Sequence, residues 1–209
     1  MAQAQDSEPI DKRIAGVLPN YRTANLTNTY TPISTHQKLV IASKDSFDYP
    51  LMFLGAGYAG LGQATNADPS YGQGTVGYVK RFAANYGDQA IGNMMTEGFF
   101  PMMLHEDPRY FRMGAARGGV GKRAWYALTR IFVTRTDAGA QRFNFSEILG
   151  NSTGVAISMS YHRDDRDFVD GISRLGVQLG TDAASQVLKE FWPDVKRKFF
   201  HKQSSAPSN

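Results

Sequence analysis

The feature that most constrains the fold is a long repeat of apolar residues near the carboxyl end of the chain. From residue 167 to about residue 201, apolar side chains recur at intervals of three and four positions, which places them along one side of an α-helix. The repeat consists of Phe168, Ile172, Leu175, Leu179, Ala183, Val187 and Phe191. Such a segment predicts one long helix packed against the rest of the protein.

Other segments also favour helices. Ser34 and Asp48 are N-cap candidates, and Pro50 suits the first turn of a helix. The predicted helices span residues 34–47, 51–65, 74–104, 122–134, 144–161 and 167–201, the third with a kink at Pro101. No segment shows the alternation typical of strands. We therefore expect an all-α, single-domain bundle of five to seven helices.

The predicted organisation has three parts. Residues 1–33 are polar and rich in Asn, Thr and Pro, and we expect an extended arm lying on the body of the protein. Residues 34–202 form the helical bundle. Residues 203–209 are rich in Ser and Pro, which is typical of a disordered tail.

Composition excludes several classes of function. The chain has 209 residues and no Cys, which excludes disulfides, thiol catalysis and cysteine-ligated metals. Its four His residues show no helical metal-binding spacing, so we predict no metal and no cofactor. Glycine-rich segments lack the spacing of phosphate loops. The net charge of +4 comes without a nucleic-acid-binding motif, so we expect no nucleic-acid partner.

An apolar, Met-rich segment contains one carboxylate, Glu97, and runs into His105. A buried carboxylate needs a partner or a raised pKa. Glu97 and His105 are therefore candidates for a catalytic acid–base pair. The structural alternative is a salt bridge from Glu97 to Arg109, Arg112 or Arg123. The run from Asp107 to Arg109 is interpreted as a helix stop and an Asp–Arg ion pair.

A polar stripe is predicted on the helix that spans residues 144–161. Helical spacing places Glu147, Asn151, Ser158 and His162 on one face. This face is either exposed to solvent or packed as a polar seam against Asn93, Thr96 and Glu97. In the second case Asn93 and the stripe residues are candidate binding residues.

The last predicted helix ends in a segment where basic and aromatic residues are interleaved. Such segments suit an anionic membrane surface. The candidate membrane-surface residues are Trp192, Lys196, Arg197, Lys198, Phe199 and Phe200. The alternative is a solvated helix end whose cations offset the helix dipole.

Residues 11–23, 105–112, 143–148 and 188–199 resemble a family of uncharacterised acidobacterial and other Gram-negative proteins. The resemblance covers about residues 8–202. Members of that family begin with a secretion signal, and none is visible in this chain. The resemblance therefore implies an exported envelope protein, periplasmic or membrane-associated, without its leader and with an added Met1. It implies no activity and no catalytic residues.

The expected function is a non-enzymatic role in the bacterial cell envelope, in association with a membrane surface. The outer membrane is one candidate for that membrane. The partners would be lipid, an envelope protein or a second copy of the chain. The alternative is a hydrolase of a lipid or cell-wall substrate, with Glu97 and His105 as the acid–base pair.

Overall fold

The computed structural model describes residues 12–26, 29–162, 164 and 167–200, except for the side chain of Phe200. The described residues are 68% helical and 10% strand, so the prediction of a mainly helical protein is confirmed and the prediction of an all-α fold is wrong. The helices are α1 (Thr35–Ser46), α2 (Tyr49–Thr65), α3 (Gly74–Asn93), α4 (Phe100–Met103), α5 (Val120–Thr129), α6 (Phe145–Tyr161) and α7 (Phe168–Phe200). The predicted tail, residues 203–209, lies outside the described residues.

The first helices begin where local capping chemistry allows. At α1 the Ser34 hydroxyl accepts a hydrogen bond from the Gln37 backbone N–H (3.2 Å), and the Gln37 side chain accepts one from the Ser34 N–H (2.8 Å). At α2 the Asp48 carboxylate accepts a hydrogen bond from the Tyr49 N–H. These caps explain why both starts could be predicted from the sequence.

The segment predicted as one helix over residues 74–104 contains an irregular turn. A π-helical turn, Met94–Phe99, separates α3 from α4, and the Phe100 N–H donates to the Met95 carbonyl. Pro101 has no N–H to donate to the carbonyl four residues before it, so the wider turn takes the place of the predicted kink. The irregularity therefore lies at Glu97, before the proline.

Seven short strands form three small sheets, and they account for the strand content that the sequence did not predict. The strands are β1 (Arg13–Ile14), β2 (Leu18–Pro19), β3 (Thr23–Asn25), β4 (Glu106–Asp107), β5 (Tyr110–Arg112), β6 (Val133–Thr136) and β7 (Gln141–Phe143). The pairs β1–β2, β4–β6 and β6–β7 are antiparallel, and β3 pairs with β5 in parallel. The predicted arm thus contributes strands, and the helix predicted over 122–134 ends at Thr129.

Helix α6 packs closely against the π-helical turn, and one glycine makes this approach possible. A Cβ atom on Gly150 would lie 2.7 Å from Thr96 Cγ2 and 2.9 Å from the Thr96 backbone nitrogen. Side chains on the same face of α6 are thereby brought next to Glu97. In the glycine-rich helix α2, a Cβ on Gly55 would lie 3.4 Å from Tyr86 Cβ, whereas Gly57 faces open space. Close packing therefore explains only part of the glycine content of α2.

The interior is polar and much of the exterior is apolar. Among the described residues, nine hydrophobic side chains are buried, against 22 polar or charged ones, and 27 large hydrophobic side chains are exposed. Globular proteins almost never bury Lys, Glu, Arg or Asp completely unless these are paired. The apolar repeat of α7 is buried only in part, since Phe168 and Ile172 are exposed whereas Ala183 is buried.

Candidate functional site

Six charged side chains meet in the interior, and we call them the interior charge cluster. They come from the arm, α1, the π-helical turn, α6 and α7. The cluster consists of Arg22, Asp45, Glu97, Glu147, Asp182 and Lys189. Four carboxyl groups thus face two cations, and all except Arg22 are carried by helical segments.

Arg22 connects the two glutamates of the cluster. Its Nη1 donates to Glu97 Oε1 at 2.7 Å, its Nη2 lies 3.6 Å from Glu147 Oε2, and its Nε donates to the Pro108 carbonyl. Burial lowers the pKa of Arg22, but the surrounding carboxylates outweigh burial and raise it. Arg22 therefore remains a fixed cation at the centre of the cluster.

Each glutamate of the cluster lies beside an aspartate. Burial and the neighbouring Asp45 carboxyl raise the pKa of Glu97 well above its usual value. Burial and the neighbouring Asp182 raise the pKa of Glu147 to about 8. Two carboxylates that share a site disfavour each other's charge, so Glu147 is largely protonated near neutral pH.

Asn151 and Lys189 complete the surroundings of these pairs. The Asn151 amide donates to Asp182 Oδ2 at 3.1 Å and to Glu147 Oε1 at 3.4 Å. Burial and the nearby Arg22 lower the pKa of Lys189. The cluster thus contains two acids whose pKa is raised and one base whose pKa is lowered. Such shifted pKa values are concentrated at functional sites.

The cluster opens to the surface through a groove of about 380 Å³, which we call the arm groove. Asp45, Glu97, Asp182 and Lys189 line its polar side. Its apolar side is formed by Ile14, Leu18, Leu51, Leu54 and Leu188. A second groove of about 400 Å³ shares Gln89, Gln178 and Thr181 with it, so the two are continuous along α7.

A second polar group, which we call the His162 group, lies at the far end of α6. His162 Nε2 lies 3.0 Å from Asp88 Oδ2, and Tyr161 donates a hydrogen bond to the same carboxylate. Asp68 Oδ1 lies 3.6 Å from the other ring nitrogen, His162 Nδ1. Burial lowers the pKa of His162, but Asp88 outweighs it and the pKa is raised. The two neighbouring carboxylates favour the protonated ring, so the His162 group is a structural ion pair that connects the end of α6 with α3.

The predicted catalytic pair of Glu97 and His105 is not formed. Glu97 is 2% exposed and is paired with Arg22, not with Arg109, Arg112 or Arg123. The side chain of His105 is 83% exposed and lies 3.8 Å from Asp137. The reason is that His105 follows the end of α4 in a left-handed conformation, with φ of 56°, and turns outward. The geometric basis of the hydrolase alternative is therefore absent.

The polar stripe of α6 is a buried seam. Glu147, Asn151, Ser158 and His162 are all buried, so the solvent-exposed alternative is wrong. Glu147 and Asn151 belong to the interior charge cluster and its surroundings, whereas His162 belongs to the separate His162 group. Asn93 lines the arm groove. The ion pair predicted between Asp107 and Arg109 is present at 2.7 Å.

The candidate membrane-surface residues differ in exposure: one is buried, and the others described are exposed or half-buried. Trp192 is buried, so its prediction as a membrane-surface residue is wrong, because it faces inward on α7. Arg197, Lys198 and Phe199 are exposed, and Lys196 is half-buried. Arg197 is paired with Asp194, and the Lys198 ammonium lies over the Phe199 ring. The side chain of Phe200 lies outside the described residues.

Sequence reasoning missed several members of the site. The signal for two of them was present, because Asp182, Gln186 and Lys189 follow i, i+4, i+7 spacing and form a polar stripe on α7. That stripe packs towards the polar stripe of α6. Arg22 and Asp45 carried no comparable signal. Their role depends on tertiary contacts, since Arg22 lies 75 residues from Glu97.

Two further features bear on the kind of site. Among the described residues, no three His, Asp or Glu side chains converge as ligands of one metal ion would. In the same part of the chain, no helix is both long enough and apolar enough to cross a membrane.

No family model matches the chain, and comparisons with curated proteins and with solved structures find no similar protein.

Proposed function

We propose that the protein is a non-enzymatic component of the bacterial cell envelope that associates with a membrane surface and binds lipid there. The observation that carries the proposal is the inverted distribution of polarity, with charge inside and large apolar side chains outside. Exposed apolar area in water is costly, at roughly 25 cal/mol per Å². Contact with lipid removes that cost.

Helix α2 is the segment best suited to this contact. It has 17 residues and none of them is charged. Its exposed side chains are Tyr49, Met52, Phe53, Leu54, Tyr58 and Leu61. Helices that lie in the interface of a membrane bury such a face near the headgroup boundary. We propose that α2 lies on the membrane in this way.

The end of α7 supports the same proposal through charge. Arg197, Lys198 and Phe199 are exposed together, and basic side chains near a membrane surface attract anionic headgroups. Export to the envelope follows from the sequence resemblance alone and belongs to the proposal. So does the organisation of residues 34–202 as one helical bundle domain.

The test uses flotation with lipid vesicles. Phe53 is 73% exposed and Leu61 is 61% exposed, so replacing both with Ser removes apolar area from α2 with little effect on the core. We expect Phe53→Ser with Leu61→Ser to weaken binding to phosphatidylcholine–phosphatidylglycerol vesicles at least about tenfold, since burying each side chain contributes roughly 1.5–3 kcal/mol.

The matched control removes apolar area from another helix. Val120 and Leu128 of α5 are also exposed, and Val120→Ser with Leu128→Ser makes a comparable loss. We expect this variant to bind vesicles nearly as well as the natural protein. Equal loss in both variants would show that α2 is not the inserted face. If the unmodified protein does not float with vesicles, the proposed function is wrong.

A further inference from the structure

Two buried carboxyl oxygens of the arm groove, Asp45 Oδ1 and Glu97 Oε2, accept no hydrogen bond from an N–H or hydroxyl group of the described residues. The two carboxyl groups interact with each other instead. Glu97 and Asp45 are 2% and 6% exposed, and both line the arm groove. Unsatisfied buried acceptors cost free energy, so these oxygens favour a ligand that brings donors.

The charges around the two oxygens indicate the sign of that ligand. Four carboxyl groups of the interior charge cluster face two cations of the cluster, Arg22 and Lys189. Full ionisation would leave two excess negative charges, and the raised pKa values of Glu97 and Glu147 express this repulsion. A bound cation offsets the excess, whereas an anion would add to the repulsion.

The shape of the site distinguishes an organic cation from a metal ion. No three acidic side chains of the described part of the chain converge on one point. The arm groove has a volume of about 380 Å³, which lies in the range of small-molecule sites. Leu51, Leu54 and Leu188 line the same groove, so apolar surface lies beside the carboxyls.

We propose that the arm groove binds an amphiphile that carries a protonated primary amine, with the ammonium between Asp45 and Glu97 and the hydrocarbon part along Leu51, Leu54 and Leu188. A primary ammonium has three N–H donors and no acceptor, which matches acceptor oxygens without donors. On binding, the ammonium supplies positive charge beside Glu97, so the pKa of Glu97 falls and its proton is released to solvent.

This site adjoins the membrane contact proposed for α2, and Leu54 belongs to both. The ligand enters between α2, α3, α7 and the arm, whereas Phe53 and Leu61 of the proposed membrane contact do not line the groove. Binding of the amine can therefore be tested in solution without vesicles, and either proposal can fail while the other holds.

The experiment is isothermal titration of the full chain with octylamine at pH 7, in two buffers with different heats of protonation. We expect one octylamine to bind per chain, with a buffer-dependent heat that reports proton release. Octanol and octyl sulfate have the same chain without the ammonium. We expect both to bind at least about tenfold more weakly, because charge-assisted hydrogen bonds are worth about 1.5–3 kcal/mol.

Two variants locate the ligand. Asp45→Asn and Glu97→Gln each keep the shape of the side chain and mimic its protonated form, so the fold is expected to persist. Each should weaken octylamine binding at least about tenfold and leave octanol binding unchanged. The control is Asp167→Asn, at an exposed carboxylate before α7, which should leave octylamine affinity unchanged.

Equal affinity for octylamine and octanol would overturn the proposal, as would the absence of octylamine binding. Unchanged octylamine affinity in Asp45→Asn would also overturn it. If either variant fails to fold, Leu54→Asn at the exposed rim of the groove replaces it. In that variant the affinity for octylamine must decrease for the proposal to stand.

Discussion

Glu190 illustrates how single residues hold this charged interior together. It is fully buried, and its carboxylate accepts hydrogen bonds from Tyr110 (2.6 Å), from Arg123 (2.8 Å) and from two backbone N–H groups. Burial and the hydrogen bond to this carboxylate raise the pKa of Tyr110, which therefore stays protonated as a donor. One side chain thus connects α7 with β5 and α5.

The first prediction concerns Glu190. Replacement with Ala leaves Arg123 Nε, the Tyr110 hydroxyl and two backbone N–H groups without their acceptor, although Arg123 keeps its ion pair to Asp194. We expect Glu190→Ala to lower the free energy of unfolding by about 3–5 kcal/mol, the usual cost of breaking a buried ion pair. Urea unfolding followed by circular dichroism measures this. Glu190→Gln, which keeps the shape, should cost less, and equal losses would contradict the ion-pair explanation.

The second prediction concerns the pH dependence of Glu147. In the unfolded chain this carboxyl ionises near its ordinary pKa of 4.5, whereas in the folded protein its pKa is raised to about 8. Between these values the folded state keeps a proton that the unfolded state has released. The contribution of Glu147 to stability is therefore complete below about pH 4.5 and is lost as the pH rises towards 8, by at most about 1.4 kcal/mol per pH unit.

Urea unfolding between pH 5 and pH 9 tests this sign. We expect Glu147→Gln to lose stability less steeply with rising pH than the natural protein does, because glutamine does not titrate. Asp167→Asn, at an exposed position, is the control and should keep the natural pH dependence. A parallel pH dependence in Glu147→Gln and the natural protein would contradict the raised pKa.

At the scale of elements, glycines serve two different purposes. Gly150 lies where α6 touches Thr96, and an added Cβ would meet backbone atoms at 2.8–2.9 Å. Gly176 of α7 has nothing within 4 Å of the corresponding position. The same substitution should therefore have opposite effects at the two sites.

The third prediction follows from this contrast. We expect Gly150→Ala to destabilise the protein by about 1–3 kcal/mol through overpacking. We expect Gly176→Ala to stabilise it by about 0.4–1 kcal/mol, because alanine is the better helix former and restricts the unfolded chain. Thermal unfolding of both variants is the measurement. Stabilisation by Gly150→Ala would show that α6 does not approach the π-helical turn so closely.

Elements that depend on local signals could be predicted, and elements that depend on distant partners could not. Helix α1 begins directly after its N-cap residue Ser34, and α2 begins directly after its N-cap residue Asp48. Both N-caps could be recognised from the sequence. Strand β3 has three residues, too few for a recognisable alternation, and it exists because Thr23 pairs with Tyr110. The site followed the same rule: helical spacing identified the stripe of Glu147 and Asn151, but nothing local pointed to Arg22 as its partner.

At the scale of the whole molecule, the cations near the end of α7 would orient the protein in the membrane binding that we propose. The fourth prediction is that Lys196→Gln, Arg197→Gln and Lys198→Gln together weaken binding to anionic vesicles by about tenfold or more. Each cation near the surface contributes about 1 kcal/mol, and Arg197 contributes less because it is paired with Asp194. Sedimentation with phosphatidylglycerol vesicles measures the loss.

The control for this variant removes the same charge elsewhere. Lys12, Lys80 and Lys122 are exposed and lie outside the end of α7. Changing these three to Gln should weaken binding much less. The difference between the two triple variants should shrink in high salt, since screening acts on surface charge. Equal losses in low salt would mean that only the net charge matters.

The polar interior also affects how stability varies with temperature. The heat capacity of unfolding rises with the apolar surface that becomes hydrated and falls with the polar surface. Here 27 large apolar side chains are exposed before unfolding begins, and the buried set is dominated by polar groups. The heat capacity change per residue should therefore fall below the usual 12–15 cal/mol/K or so. The stability curve becomes broad and shallow, and the folded state tolerates cold better than a protein with an apolar core.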